Sequence, residues 1–536
     1  MEELKKQNKS VVLRSALGMA FGTFSSRILG LVRDMAFAAL FSRTITDAWM
    51  VAFRLPNMFR RILGEGSLAV SFIPIFVEAQ NDNAARARNL MNGLYTILLL
   101  ILTVFTTLGI VYMEPLLGLL VSGKGFTSVP GKLELTLRMA RIMFGFIFLM
   151  STYAYFMAIL NAFHKFALAA IAPCFFNIAM IISTFLPVQW FSSIGDGVAW
   201  GVIAGGILQS CSLVPALYRL GFLPRLNWRE IWNPDVRRVL RNMIPSMLGL
   251  GMVQITGLVN IQFASRLGEG SHSWIYWADR ILELPLSLFA VSMGTALLPT
   301  LSAQWAKGDK VAMSETSNWH SRLTLAVAFP SALGLWIFSV PIVDVLYRRG
   351  GFQARDVEMT AMILKIYSVL LIFSSLVRVI VPAFYAMKNT WLPALAGAIG
   401  LVSHLMVAPV LIEKIGLTGI AASSVISAAI NLGVLVVSFY WMIGPLQGVK
   451  FLTGAFRLAV AGLVMFIFAK FYFLLELKEI SRWIQGGTLF LFIGLSGAIY
   501  FVVAAFLGAP EIKAILQNIW GKVRRRIEKS QMENSL

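Results

Sequence analysis

Residues 47–66 read DAWMVAFRLPNMFRRILGEG. This stretch lies within a segment, 46–77, that reads as a membrane-spanning helix, yet it carries Arg54, Arg60 and Arg61. Arg54, Asn57, Arg61 and Glu65 stand at i, i+3, i+7 and i+11, which places them on one stripe at 3.6 residues per turn. The rest of the chain fits the same solvent. Of 536 residues, 58% are hydrophobic and 13% charged, and the mean hydropathy is +0.75. A soluble chain carries about 25% charged residues. The sequence therefore reads as an all-α polytopic membrane protein, which excludes a secreted disulfide scaffold, a soluble enzyme and a free nucleic-acid binder. Cys174 and Cys211 sit in apolar runs and read as packing residues.

With about 20 apolar residues needed per crossing, the pattern predicts fourteen spans. They lie near 13–41, 46–77, 89–113, 135–162, 167–187, 195–218, 240–265, 272–304, 320–343, 358–386, 391–412, 416–443, 452–474 and 484–508. An even count puts both termini on one side. That side holds 24 of the Lys and Arg residues in connectors and span ends, against 10 on the other, so the positive-inside rule makes it cytoplasmic. The net charge of +20 thus reflects topology. The first span lacks a small-residue cleavage site and reads as retained.

Two stretches echo each other at an offset of 225. Trp49 precedes an Arg-bearing helix reaching Pro74, and Trp274 precedes one reaching Pro299. Six spans separate the copies, so both run in the same direction. The expected layout is an N-terminal lobe at 1–220 (spans 1–6), a cytoplasmic connector at 221–239 and a C-terminal lobe at 240–445 (spans 7–12). Two extra helices at 446–510 and a basic cytoplasmic tail at 511–536 complete it. Parallel repeats of this kind place transport sites between lobes near the midplane.

Charges inside spans are costly, roughly 2.5–3.5 kcal/mol each near the bilayer centre. Leaving aside residues toward the span ends, seven arginines (Arg27, Arg33, Arg54, Arg60, Arg61, Arg280 and Arg378) stand against four carboxylates (Asp34, Glu65, Asp279 and Glu283) well within spans. In the eighth span, Ser273, Tyr276, Arg280, Glu283 and Ser287 form a stripe like that of the second. In the first, Arg27 and Asp34 share a face and Arg33 is turned away by about a third of a turn. One reading is buried ion pairs holding helices together. The excess of arginine favours another, an anion held in a hydrated cavity. Guanidinium forks bind phosphate bidentately and stay ionised in a low dielectric, so the anion is expected to bear phosphate. No spacing suggests metal ligands, no Gly-rich phosphate loop follows a strand, and no catalytic cluster is visible, so neither a cofactor nor an enzyme activity is expected.

SRILGLVRD (26–34), DAWMVAFRLPNMFRRILGEG (47–66), FIPIF (72–76), SWIYWADRILELP (273–285) and GTALLPTLS (294–302) resemble the MurJ/MviN family of lipid II flippases. That family belongs to the multidrug/oligosaccharidyl-lipid/polysaccharide exporter superfamily. The similarity runs over the whole chain. It implies movement of the undecaprenyl-diphosphate-linked peptidoglycan precursor, lipid II, from the cytoplasmic to the periplasmic leaflet of the bacterial inner membrane by alternating access. The implied partners are lipid II and membrane lipids, with no nucleic acid, and the chain is expected to act as a monomer.

By motif, Arg27, Arg33, Asn57, Arg60, Arg61, Arg280 and Glu283 match residues of the family's cavity. Arg378, in RVIVPAFYAMKN, matches a basic cavity position of the tenth span. Arg54 joins them by its stripe, and Asp47 with Ser273 is expected to close the periplasmic gate. The last two helices, 452–508, match those that border a groove for the lipid tail. The sequence departs from some members in the seventh span, where MIPSMLGLGMVQITGLVNIQF (243–263) holds no carboxylate for sodium. The alternatives are a flippase for another polyprenyl-diphosphate-linked polysaccharide, a cation-coupled multidrug exporter, and an intramembrane enzyme acting on prenyl diphosphates.

Overall fold

The computed structural model describes residues 2–163, 165–444, 448–475, 480–514 and 517. Most of the basic tail expected at 511–536 lies outside the described residues, as does His164. Among the described residues the regular structure is helical, with no strand. The first lobe's sequence forms α1 (Glu2–Leu40), α2 (Arg43–Phe59), α3 (Leu68–Asp82), α4 (Ala84–Val111), α5 (Lys132–Phe144), α6 (Phe146–Ala162), α7 (Phe166–Thr184) and α8 (Ile194–Cys211). There follow α9 (Pro234–Ala264), α10 (Ser271–Pro285), α11 (Ser292–Ala306), α12 (Lys310–Ile337), α13 (Ala354–Ala386), α14 (Trp391–Ile415), α15 (Leu417–Met442), α16 (Gly448–Lys470) and α17 (Arg482–Phe506).

Nine helical segments among the described residues are long and apolar enough to cross a membrane. A tenth arises if α12 and Ser339–Tyr347, bent by 71°, form one span. The other four expected segments, α1, α2 through α3, α9, and α10 through α11, are helical as well. Three of these four carry the arginine-bearing stripes.

Those stripes sit on helices that are not regular. Between α2 and α3 the backbone runs as π-helix over Arg60–Ser67, and between α10 and α11 it does so over Leu286–Val291. Adding the repeat offset of 225 to the first range gives 285–292, which encloses the second. Pro56 lies within the last turn of α2, and Pro285 ends α10. Each proline removes an amide donor from the ladder, which explains why the α pattern gives way nearby. A π turn widens the helix and turns backbone groups away from their usual partners, and such turns recur at functional sites.

The chain forms two compact units, Met1–Ser273 with Arg349–Gln353, and Trp274–Arg348 with Ala354–Leu536. By its contacts, α9 belongs to the first. In lipid there is no hydrophobic drive between apolar helices, so close backbone approach carries the packing. Gly201 and Gly205 of α8, four residues apart, provide it. A side chain on Gly201 would collide with Ser183, and one on Gly205 with Phe176, both on α7. Deeper in the first unit, Phe72, Phe76 and Tyr155 are fully buried, and the Tyr155 hydroxyl donates to the Met91 carbonyl at 2.7 Å. In the second unit, Leu297, Leu301, Met313, Val379, Phe384, Leu435 and Phe439 join α11, α12, α13 and α15 in one core. A separate cluster around Leu458, Met465, Tyr500 and Ala504 fastens α16 and α17 to α12 at Ala326.

Candidate functional site

Ser42 and Arg43 start α2, and four residues on Asp47 points into a dry pocket of the first unit, wholly buried. Its carboxylate has four donors. Lys132 Nζ lies 2.7 Å from Oδ2 and the Gly270 amide 2.7 Å from the same oxygen. The Ser273 amide and hydroxyl reach Oδ1 at 2.9 and 2.6 Å. Thr46 lies beside it, its hydroxyl 2.8 Å from Ser273 Oγ, and Thr44 donates to Glu269. The 265–273 segment is held from behind as well. Ser265 Oγ accepts from the Gly123 amide at 3.1 Å and the Ser265 carbonyl from the Phe126 amide at 2.9 Å. His272 Nε2 lies 3.1 Å from the Ile261 carbonyl, which puts a ring proton on that nitrogen. Asp47 and Ser273, expected as a pair from the ends of the second and eighth spans, are thus brought together.

Lys132, counted by sequence among the connector cations, belongs to the same cluster. It is 1% exposed, with its ammonium 4.5 Å from the centre of the Phe126 ring. No spacing rule could have found it, because 85 residues separate it from Asp47.

The expected arginines fall into three groups. Arg33 is buried, and its guanidinium is engaged by Asp34 (2.6 and 2.9 Å) and by Asn177 Oδ1 (3.1 Å). Asn177 in turn donates to the Ser26 carbonyl at 2.9 Å, so this trio ties α1 to α7. Arg60 is half-buried and donates to Asn57 Oδ1 at 3.0 Å, and Arg280 reaches Glu283 at 3.3 Å with both side chains partly exposed. Arg54 lies with its guanidinium against α9, where Gly257 leaves room that any side chain would fill. Arg27 on α1 and Arg378 on α13 are exposed, and Arg61 in the π-helical turn is half-buried. The structure therefore brings Arg33 to Asp34, Arg60 to Asn57 and Arg280 to Glu283. The Glu65 side chain lies outside the described residues. Among the described residues, no three His, Cys, Asp or Glu side chains come together as a metal site would require.

A charged cluster sits at the far end of the second span. Arg86 makes a bidentate pair with Asp235 at 2.8 and 2.9 Å and reaches Asp82 at 3.1 Å, while Arg238 binds Glu78 at 2.9 Å. The Arg86 guanidinium holds the Asp235 carboxyl below the usual carboxylate range.

The family model described as "Lipid II flippase MurJ" matches residues 36–493. A protein of Bdellovibrio bacteriovorus named "Probable lipid II flippase MurJ" is 48% identical over 515 residues, covering 95% of this chain and 97% of that one. A solved structure titled "Lipid II flippase MurJ, inward closed conformation" is similar with a TM-score of 0.75 and 24% identity, over 93% of this chain and 99% of that one. An inward-facing multidrug resistance MATE family transporter of the MOP superfamily is similar with a TM-score of 0.63 and 16% identity, over 78% and 93%. These last two are likenesses of fold.

Proposed function

This chain belongs to the MurJ family, and on that premise we propose that it is a lipid II flippase. It carries the undecaprenyl-diphosphate-linked peptidoglycan precursor from the cytoplasmic to the periplasmic leaflet for cell wall synthesis. It is a multi-pass protein of the inner membrane, with both termini in the cytoplasm, acting as a monomer and as a transporter without bond-making chemistry. The reading is supported most by one observation: the helices interrupted by π turns are those that carry Arg60 and Arg61 in one copy and Arg280 just before the turn in the other. Irregular backbone and arginine together at membrane depth suit an anionic headgroup in a hydrated cavity.

In this reading Arg27, Arg54, Arg60, Arg61, Arg280 and Arg378 receive the diphosphate and sugar while the prenyl tail stays in lipid beside α16 and α17. Asn57 and Glu283 orient the guanidinium groups they contact. Arg33, engaged by Asp34 and Asn177, shapes the cavity wall through α1. Asp47 and Ser273 close the periplasmic gate, and the two lobes, spans 1–6 and 7–12, alternate about the headgroup. Binding drives the cycle only if the headgroup prefers one state over the other. Membrane potential adds about 2.3 kcal/mol per charge per 100 mV.

Depletion of the protein followed by leaflet-resolved measurement of lipid II tests this directly. Accumulation in the inner leaflet is expected. An unchanged distribution with altered drug tolerance would instead favour the exporter reading. Arg27→Ala and Arg280→Ala are expected to abolish transport while the protein still inserts, and full complementation by both would remove the proposed site.

A further inference from the structure

The Asp47 cluster holds one group that the gate reading does not use. Lys132 lies on α5, inside the first unit, and its ammonium is almost completely removed from solvent. Its own helix fixes it: the Lys132 carbonyl accepts from Thr136 Oγ1 at 2.7 Å, and its amide donates to the Val129 carbonyl at 3.2 Å. The other three donors to Asp47 all come from Gly270 and Ser273. One of the points where the chain passes from one compact unit to the other falls immediately after Ser273, next to the residues that supply those three donors. Lys132 is tied to neither.

We propose that Lys132 is a positioning residue of the gate, which keeps the Asp47 carboxylate charged and partnered when residues 270–273 release it, and so makes the open state reachable. The proposal rests on the reading of Asp47 and Ser273 as a gate and adds the residue that sets its balance. In the closed state the carboxylate has four donors, one of them cationic. On opening it loses three and keeps Lys132. Without Lys132 it would go from three donors to none inside a poorly solvated pocket, and a buried charge stripped of partners is strongly disfavoured. Removal of the lysine therefore penalises the open state more than the closed one, and the gate stays shut.

The test uses Thr44→Cys with Glu269→Cys, two positions whose native side chains touch, in a Cys174→Ala, Cys211→Ala background. The full-length protein is reconstituted in vesicles, and a short cross-linker with two thiol-reactive maleimide ends reads the closed fraction with and without added lipid II. In the parent, lipid II is expected to lower cross-linking. In K132M the closed-to-open ratio is expected to rise about tenfold, with turnover falling in parallel and apparent lipid II affinity falling by no more than that factor, through the smaller open population alone. K132R retains the charge and is expected to open like the parent. The pair D47N/K132M, compared with D47N alone, is expected to show no bias from the missing lysine, because no carboxylate is left to strand. That comparison also decides the matter if K132M alone fails to insert.

K132M opening like the parent, or K132R failing as K132M does, would overturn the role of Lys132 while leaving the gate intact. So would a bias from K132M that persists in the D47N background. Cross-linking in the parent that ignores lipid II would instead remove the gate reading, and this inference with it.

Discussion

The stretch from α2 to α3 is joined to the sequence around α9 at both of its ends, and the two joints are built differently. At one end Arg86, on α4 just past α3, pairs with Asp235 in the first turn of α9, with Asp82, Glu78 and Arg238 around them. Asp235 is mostly buried, but Arg86 is 36% and Arg238 54% exposed, and Arg86 has three carboxylates in reach. At the other end a single carboxylate, Asp47, takes four donors, and both it and Lys132 are sealed from water. The wet joint has spare partners and tolerates the loss of one. In the dry joint four donors, one of them cationic, converge on the same two oxygens, so the loss of that carboxylate removes all four at once. That contrast fits a tether at one end and a switch at the other.

The contrast fails first if Asp47 proves dispensable. Asp47→Asn leaves Lys132 buried opposite a neutral amide. Breaking a buried ion pair from one side costs about 3–5 kcal/mol, so thermal unfolding in detergent should show the largest loss of any variant discussed here. Restoring neutrality with Lys132→Met in the same chain should recover part of it. A D47N protein as stable as the parent would mean that the pocket admits water and that the joint is not a switch.

The segment between the joints gives a sharper test. A π turn accommodates one residue more than the α-helix around it. Deleting Ser287 from the π-helical Leu286–Val291 run should convert it to α-helix with little change in how α10 and α11 leave it. Expression and melting temperature are then expected to stay near those of the parent while lipid II transport falls about tenfold. That figure corresponds to about 1.4 kcal/mol on the cycle. Unaltered transport would show that the interruption is a packing detail and that the two joints do not communicate through flexible backbone.

The order of helices was legible, because lipid imposes length and hydropathy on every crossing. The echo of Trp49 and Pro74 in Trp274 and Pro299 marked the two segments that turn out to hold π turns, although nothing in composition announces a π turn itself. Helical-wheel reasoning turned Arg33 away from Asp34 by about a third of a turn. The structure shows the two hydrogen-bonded, since a long flexible side chain can fold back to the next residue whatever the angle between their Cα–Cβ bonds. Asn177 and Lys132 were invisible for a different reason. Each matters through a partner 144 or 85 residues away, and hydrophobic period carries no record of which helices become neighbours.

The smallest effect belongs to the tether, and pH gives its sign. Arg86 holds the Asp235 carboxyl below its ordinary range, about 3.9 when unfolded. A carboxylate depressed in the folded state stabilises it fully above the unfolded value and loses that contribution as pH falls through the folded one. Asp235→Asn should therefore cost less than about 1 kcal/mol at pH 7, given the exposure of Arg86 and the neighbouring Asp82 and Glu78. The difference from the parent should stay level down to about pH 5 and close below about pH 3.9. Thermal melts of both proteins across that range measure it. A deficit of several kcal/mol at neutral pH would place this joint in the same class as the Asp47 pocket, and the distinction between tether and switch would have to be abandoned.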